Sequence, residues 1–393
     1  MLSDKSRPVI EATLPIVGGR IGEITKKFYT GLFAARPELL DGTFSRANQR
    51  NGTQQQALAG SIAAFATHLL RNPGTLPEAV LSRIAHKHAS LGIREDQYPI
   101  VYEHLFAAIA DDLGDAVTAE VAAAWSEVYW LMADALVKIE KGLYARQAND
   151  KAWSPWRLVA REPAGVGSMT FRFEPADDTP VTAATPGQYV SVRVVLDDGL
   201  RQARQYTLSG DAASTTSRVF TAKLDGGGEV SPVLHHGVAV GDVVELSNPY
   251  GDIEVDGSDA PIVLATAGIG CTPSASVLQS LAAEGSPRRV LVLHAEQTEA
   301  NWALRDQMLG AVDRLPNAEL LLWLEDAGSR FAGTEATEGL MDLAPLDLPL
   351  DAKVYLCGPL PFMRAVRSQA IDAGIPATNI HYEVFGPDLW LVG

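Results

Sequence analysis

Two histidines stand either side of Lys87 in RIAHKHASLGI, residues 83–93. The first chemical question is whether either imidazole holds a metal or a ligand. A helix over 79–91 puts Leu81, Ile84, His88 and Leu91 on one stripe and Ser82, Arg83 and His86 largely on another. Residues two apart on a helix do not share a face, so the pair cannot chelate one ion as an i, i+4 pair would. His88 alone points inward, and His86 reads as a surface residue. A lone inward histidine is ordinarily a core residue satisfied by a backbone carbonyl. Two other stretches shift that balance. In GRIGEITKKFYTGLF, Ile21, Thr25, Tyr29 and Phe33 share a stripe, which sends a phenol hydroxyl towards the interior. In QRNGTQQQALAGSIAAF, Gln54 heads the stripe Leu58, Ile62 and Phe65, placing an amide where an apolar side chain is expected. Together with an inward imidazole these describe a pocket with a polar end.

Further along, RQYTLS (204–209) alternates, with Arg204 and Tyr206 on one side and Gln205 and Thr207 on the other. An arginine there suits a phosphate, because its fork bonds two oxygens at once. PGQY (186–189) adds Tyr189, and GGGEVS (226–231), with Gly228, Val230 and Ser231, offers glycine-freed backbone amides for phosphate oxygens. Each of these two stretches alone reads equally well as a plain hairpin turn. AGIGCTP (267–273) follows an apolar run and leads into a helix. Gly268 and Gly270 would let a pyrophosphate approach the chain, and a helix N-terminus with Thr272 near its cap favours the anion. A 2′-phosphate on the bound nucleotide would need a cation after the second parallel strand, where VLVLHAEQTEAN offers only Glu296 and Glu299. NADH is therefore expected ahead of NADPH, which stays open because Arg330 could fold back.

Elements of three kinds must position these groups. From Ile10 to about Gln147 the apolar residues recur three and four apart, with Ala-rich runs such as VAAAWSEVYWLMADALVKI, which is an all-α unit. Asn, Asp, Ser and Pro break the period near 148–152. WRLVARE, MTFRFE, QYVSVRVVL, RQYTLS, RVFTAKL and DVVELSN then alternate as the strands of a small antiparallel barrel. Beyond Ala260, PIVLATA, RVLVLHA, AELLLWLE and AKVYLCG alternate with helical segments, as in a parallel sheet covered on both faces. The fold class is multidomain: an all-α unit over 1–148, an antiparallel β-barrel over 152–258 and an α/β parallel-sheet unit over 259–393.

The 393 residues are 47% apolar and carry a net charge of −16, with no local Lys/Arg run. That charge repels phosphate backbones and anionic lipid, so nucleic acid is not an expected partner. No apolar run reaches the length of a transmembrane segment. The opening MLSDKSRPVIEAT lacks a charged-then-apolar leader, and Cys271 and Cys357 are too few for a disulfide framework, so a cytoplasmic protein is expected.

KFYTGLFAARPELLDGTFSRANQRNGTQQQAL and IAHKHASLGIREDQYPIVYEHL closely resemble the globin domain of flavohemoglobins, and the likeness continues to HYEVFGP near the C-terminus. The resemblance implies that His88 is the proximal iron ligand of heme b. Phe44 would pack on the macrocycle, Tyr29 and Gln54 would lie on the distal side, Leu58 would narrow access to the iron, and Lys87 would sit near a propionate. It pairs Tyr98 and Glu140 behind the proximal histidine, where a carboxylate on the second ring nitrogen raises ligand basicity.

RQYTLS resembles the FAD signature of ferredoxin-reductase-like modules: Arg204 on the pyrophosphate, Tyr206 against the isoalloxazine, Gln205 beside them and the Thr207 hydroxyl near N5. The nicotinamide side would use Gly268, Ile269, Gly270, Cys271, Thr272 and Pro273 together with Cys357, Gly358 and Pro359. The closing motif would contribute Glu383, Val384, Phe385, Gly386 and Pro387, with Glu383 between flavin and heme. Val384 stands where relatives usually have cysteine, and Cys271 and Ser274 replace commoner residues of the first loop. The implied activity is nitric oxide dioxygenation: electrons pass from NAD(P)H through FAD to heme, and O2 and NO become nitrate. The chain is expected to act as a monomer, with space for a lipid in the distal pocket. Two other functions remain open on the residues alone, an oxygen sensor or store whose reductase maintains the heme, and a lipid or alkyl hydroperoxide reductase.

Overall fold

The computed structural model describes residues 1–42 and 44–386. Contacts divide the chain into two compact units: Met1–Trp153 together with Arg193–Ala203, and Ser154–Val192 together with Arg204–Gly386.

The first unit is built on six helices: α1 (Ser6–Ala35), α2 (Arg46–Arg50), α3 (Thr53–Arg71), α4 (Glu78–Leu91), α5 (Tyr98–Leu113) and α6 (Ala119–Ala145). α1 packs on α3, α5 and α6, while α4 lies along α6. The buried stripe of α1 is Ile10, Val17, Ile24, Phe28 and Leu32, each a near-whole number of turns apart. Thr25 and Tyr29 are buried beside that stripe, whereas Ile21 and Phe33 are only half-buried. α4 buries Leu81, Ala85 and Ala89, and its small alanines let it approach α6 closely. Ile84, His88 and Leu91 form the adjacent, half-buried face. His86 is half-buried as well. The Thr118 hydroxyl caps α6 by accepting from the Val121 amide, and α4 ends on Gly92 in the left-handed region (φ 77°).

The second unit holds two sheets. The antiparallel one uses β1 (Ser154–Pro163), β2 (Ser168–Pro175), β3 (Tyr189–Val195), β4 (Arg201–Thr207), β5 (Arg218–Lys223) and β6 (Val243–Leu246), in the order β4-β3-β6-β1-β2-β5. A bridge between Leu208 and Phe220 joins the two outer strands and closes the barrel. Its interior is aromatic: Phe173, Phe220 and Tyr206 stack in near-parallel succession, with centroids 5.4 and 5.0 Å apart. A short α7 (Val230–Pro232) follows β5.

The parallel sheet comprises β7 (Ile262–Ala267), β8 (Val290–Glu296), β9 (Ala318–Leu324), β10 (Thr337–Glu338), β11 (Lys353–Cys357) and β12 (Ile380–Glu383), in the order β10-β9-β8-β7-β11-β12. Helices α8 (Cys271–Glu284), α9 (Arg305–Val312) and α10 (Leu360–Asp372) run between the strands. The chain winds outwards from β7 through β10, then returns to β11 on the other side of β7. Strand order therefore reverses between β7 and β11, which is where ligands bind in open α/β sheets. The two outermost strands, β10 and β12, are short and were not anticipated from apolar runs.

One core residue has a pH consequence. His294 on β8 is fully buried, bonds Thr266 through Nδ1 at 2.9 Å and stacks on Trp302. Burial pushes its pKa down to about 3. The unfolded chain takes up a proton near pH 6.5 that the folded chain refuses, so stability is lost as pH falls below that value, by about 1.4 kcal/mol per unit. Urea midpoints followed from pH 8 to pH 5 are expected to fall less steeply in His294→Gln than in the unaltered protein; equal slopes would contradict this.

Candidate functional site

The packing of α4 on α6 brings His88 to Glu140. His88 Nδ1 lies 2.9 Å from Glu140 Oε1 and 3.1 Å from the Tyr98 hydroxyl, and that hydroxyl donates to the same carboxylate oxygen at 2.6 Å. Glu140 is 2% exposed. It is therefore no solvated charge, as its place near a helix end would suggest. Burial and the neighbouring Glu140 charge push the Tyr98 phenol well above its ordinary value, so it stays protonated and donates. A carboxylate only accepts, so Nδ1 of His88 carries the ring proton and Nε2 keeps its lone pair. All hydrogen bonds of His88 among the described residues fall on Nδ1. Nε2 is thus prepared as a neutral nitrogen ligand with an anionic partner behind it. Among the described residues no group of three or more His, Cys, Asp or Glu side chains could hold a metal ion. A single imidazole would fit an iron that a macrocycle supplies with its other nitrogen ligands.

Tyr29 is buried, with the Gln54 side chain near its hydroxyl. Burial pushes its phenol far up, partly offset by Gln54, so it remains an O–H donor. Phe28, Phe33 and Phe44 surround its ring, with centroids 4.7, 5.6 and 5.9 Å away. Leu58, one turn on from Gln54 in α3, is half-buried, as is Lys87 beside the histidine.

Gln202, which belongs to this unit, was not singled out from sequence. It is fully buried, and its amide donates to the carbonyls of Leu40 and Phe44 at 2.9 and 3.3 Å while its oxygen accepts from the Arg46 amide at 3.2 Å. Arg201 grips both Asp41 oxygens. The segment bearing Phe44 is therefore held at three backbone points. Only a buried amide far along the chain signals it, and no local spacing reveals such a partner.

In the second unit, β4 presents Tyr206 against Phe220, and burial pushes its phenol well up. Gln205 donates to the Ser191 hydroxyl at 2.8 Å, and Thr207 is buried. Arg204 is half-buried and Tyr189 buried, the latter bridged to Tyr250. The glycine loop differs from expectation. The Gly227 and Gly228 amides bond Asp225 at 3.0 Å each, and the Ser231 hydroxyl accepts from the Asp225 amide. Two of the amides offered to phosphate are occupied by a neighbouring aspartate, which the composition of GGGEVS could not show. Val230 is buried in α7.

At the switch point Gly268 has φ 55° and opens a single turn into α8. Ile269 is half-buried, and Cys271, Thr272 and Pro273 are buried. Thr272 stands near the cap, two residues after Gly270, and its hydroxyl donates to the Ile269 carbonyl at 3.2 Å. A Cβ on Gly270 would stand 2.4 Å from the Cys357 carbonyl oxygen and 2.8 Å from the Gly358 amide. The two loops at the carboxyl edge thus touch backbone to backbone. Pro359 precedes α10. Burial pushes Cys271 up to about 12 and also raises Cys357 well above the ordinary thiol value, so both are neutral thiols rather than nucleophiles. Glu383 is buried opposite Cys357, followed by half-buried Val384, exposed Phe385 and half-buried Gly386. Pro387 lies outside the described residues.

Comparison with known proteins matches each part. Residues 26–136 match the globin family, 155–255 the oxidoreductase FAD-binding domain and 264–368 the oxidoreductase NAD-binding domain. These assignments define a heme- and flavin-dependent oxidoreductase that takes heme, FAD and a nicotinamide dinucleotide. The flavohemoprotein of Rhizobium meliloti (strain 1021) is 40% identical over 99% of this chain and 100% of its own, and that of Bordetella pertussis 38% over 98% and 99%. A flavohemoglobin from Malassezia yamatoensis, solved with bound FAD and heme, superposes with a TM-score of 0.92 at 44% identity, covering 98% of this chain and all of that one. The FAD/NAD-binding domain of a nitric oxide dioxygenase from Vibrio cholerae covers 60% of this chain with a TM-score of 0.55 at 31% identity. The chain belongs to the flavohemoprotein family. Among the described residues no helix is long and apolar enough to cross a membrane.

Gly270→Ala is expected to lower kcat/KM for NADH-dependent flavin reduction by about 100-fold, because the added methyl displaces the Cys357 turn. Heme content should not change. Stopped-flow reduction of the flavin checks this, and an unaltered rate would show that the close approach has no bearing on coenzyme binding.

Proposed function

We infer that the protein is a nitric oxide dioxygenase that draws electrons from NADH. The observation that carries the reading is the Glu140–His88–Tyr98 arrangement: a buried carboxylate on Nδ1 makes the imidazole a stronger electron donor than a carbonyl partner would, which suits oxygen activation better than storage. When bound, the heme supplies the redox-active iron, and FAD converts the paired electrons of the nicotinamide into single ones.

The remaining work falls to side chains. His88 binds through Nε2, Glu140 keeps the proton on Nδ1, and Tyr98 holds Glu140 in place. Tyr29, with Gln54 near it, would offer its hydroxyl as a donor on the side of the site where oxygen enters, with Phe44 and Leu58 shaping the apolar walls. Arg204 would neutralise the flavin pyrophosphate, with Tyr206, Gln205 and Thr207 supplying contacts to the flavin. The Gly268–Gly270 turn and the Cys357–Pro359 turn would hold the nicotinamide coenzyme. The Vibrio cholerae neighbour, described as a nitric oxide dioxygenase domain, supports the same chemistry. Purified protein given NADH, oxygen and NO should remove NO and form nitrate in equal amounts. Oxygen-dependent NADH oxidation with no nitrate would overturn the reading.

A further inference from the structure

The coenzyme-facing edge of the parallel sheet contains an arginine held inside an acidic network. Glu296 ends β8 with its Oε2 3.9 Å from the position of a Cβ on Gly268, so this buried carboxylate borders the turn that receives the pyrophosphate. The residues after this strand are those that read the 2′ position of the adenosine ribose in dinucleotide-binding sheets. Arg305 lies there, at the start of α9, after Leu304, the one non-glycine residue with positive φ (59°) among the described residues. That backbone turn brings the guanidinium back over the loop.

Its Nε donates to Glu299 Oε1 at 2.6 Å, Nη1 to Asp306 at 2.8 Å and Nη2 to the Thr334 hydroxyl at 3.2 Å. The Glu299 side chain is fully buried, while that of Asp306 is 92% exposed. Glu299 also accepts from the Phe331 amide at 2.6 Å and the Thr334 hydroxyl at 2.7 Å. One carboxylate therefore ties together the loop after β8, the start of α9 and the loop after β9. The exposed partner adds little, since solvent screens it. The buried one governs where the arginine's charge can be used.

We propose that Glu299 sets the coenzyme preference by sequestering Arg305, the cation at this edge that would otherwise pair with a 2′-phosphate. This deepens, and rests on, the reading of the unit as a nicotinamide-dependent reductase. With Glu299 ionised, a 2′-phosphate approaching Arg305 meets two carboxylates and a guanidinium whose Nε and both Nη nitrogens are engaged. NADH, with a plain 2′-hydroxyl, incurs no such repulsion. Without the Glu299 charge, the same guanidinium can turn its fork to phosphate oxygens.

The test measures binding of 2′,5′-ADP and 5′-AMP to the full-length holoprotein by calorimetry, together with anaerobic flavin reduction by NADPH and NADH. In Glu299→Gln the preference ratio should move towards the 2′-phosphorylated ligand by about tenfold or more in both measurements. In Glu299→Gln/Arg305→Gln the gain should vanish. Arg305→Gln alone leaves Glu299 intact and should not alter the weak binding of 2′,5′-ADP, which keeps the test decisive if the first variant does not fold. A ratio unmoved in Glu299→Gln, a gain that survives loss of Arg305 and so belongs to another cation such as Arg330, or a large loss of 2′,5′-ADP binding in Arg305→Gln would each overturn the proposal. Failure of NADH to reduce the flavin of the unaltered protein would instead remove the reductase reading beneath it.

Discussion

His88→Ala should purify with full flavin and little or no heme, and its NADH-dependent removal of NO should fall to the background of heme-free protein. Nδ1 is already committed to Glu140 and Tyr98, so the only nitrogen the site can offer to iron is Nε2. No second histidine shares that face of α4, and no cluster of other ligands among the described residues could substitute. NADH-dependent reduction of ferricyanide should persist, because the flavin and nicotinamide residues belong to the other unit. Free imidazole added to the variant should restore part of the heme binding, as expected when the lost group is a ligand rather than a packing element. Full heme content in the variant would contradict the assignment.

Glu140→Gln is the more discriminating substitution, since it preserves shape and removes charge. The amide oxygen can still accept from Nδ1–H, so heme should remain bound. The imidazole, no longer paired with an anion, becomes a weaker donor, and loss of such an outer partner typically costs about 10–100-fold in activity. NO removal is therefore expected to fall by that much, with the iron–histidine stretching frequency lowered in the resonance Raman spectrum. A purely structural role would lower heme content or thermal stability and leave that frequency unchanged. Tyr98→Phe should follow the same direction with a smaller effect, because Glu140 keeps its bond to His88.

The barrel strands and the four long strands of the parallel sheet were legible because their apolar alternation or runs are local properties. So was the proximal helix, within one residue at its start, and so was the inward turn of Tyr29. The position of Glu140 came only from the family resemblance: near the end of a long helix, a carboxylate is indistinguishable by pattern from a solvated one, and only the packing of α4 on α6 buries it. Pattern is equally silent on Gln202 and Glu299, whose partners lie far away or across loops. Local pattern also could not show which backbone amides are already engaged: the Gly227 amide bonds the Asp225 carboxylate and the Gly228 amide the Asp225 carbonyl. Short outer strands such as β10 escape periodicity because two residues carry no period.

The account depends on electrons from a nicotinamide reaching an iron bound to His88. An absorption spectrum of the purified protein under carbon monoxide, recorded before and after NADH is added without oxygen, tests this directly. The account predicts bleaching of the flavin band and a Soret band shifted to that of the carbon monoxide complex. Flavin that bleaches while the Soret band stays where it was would contradict it.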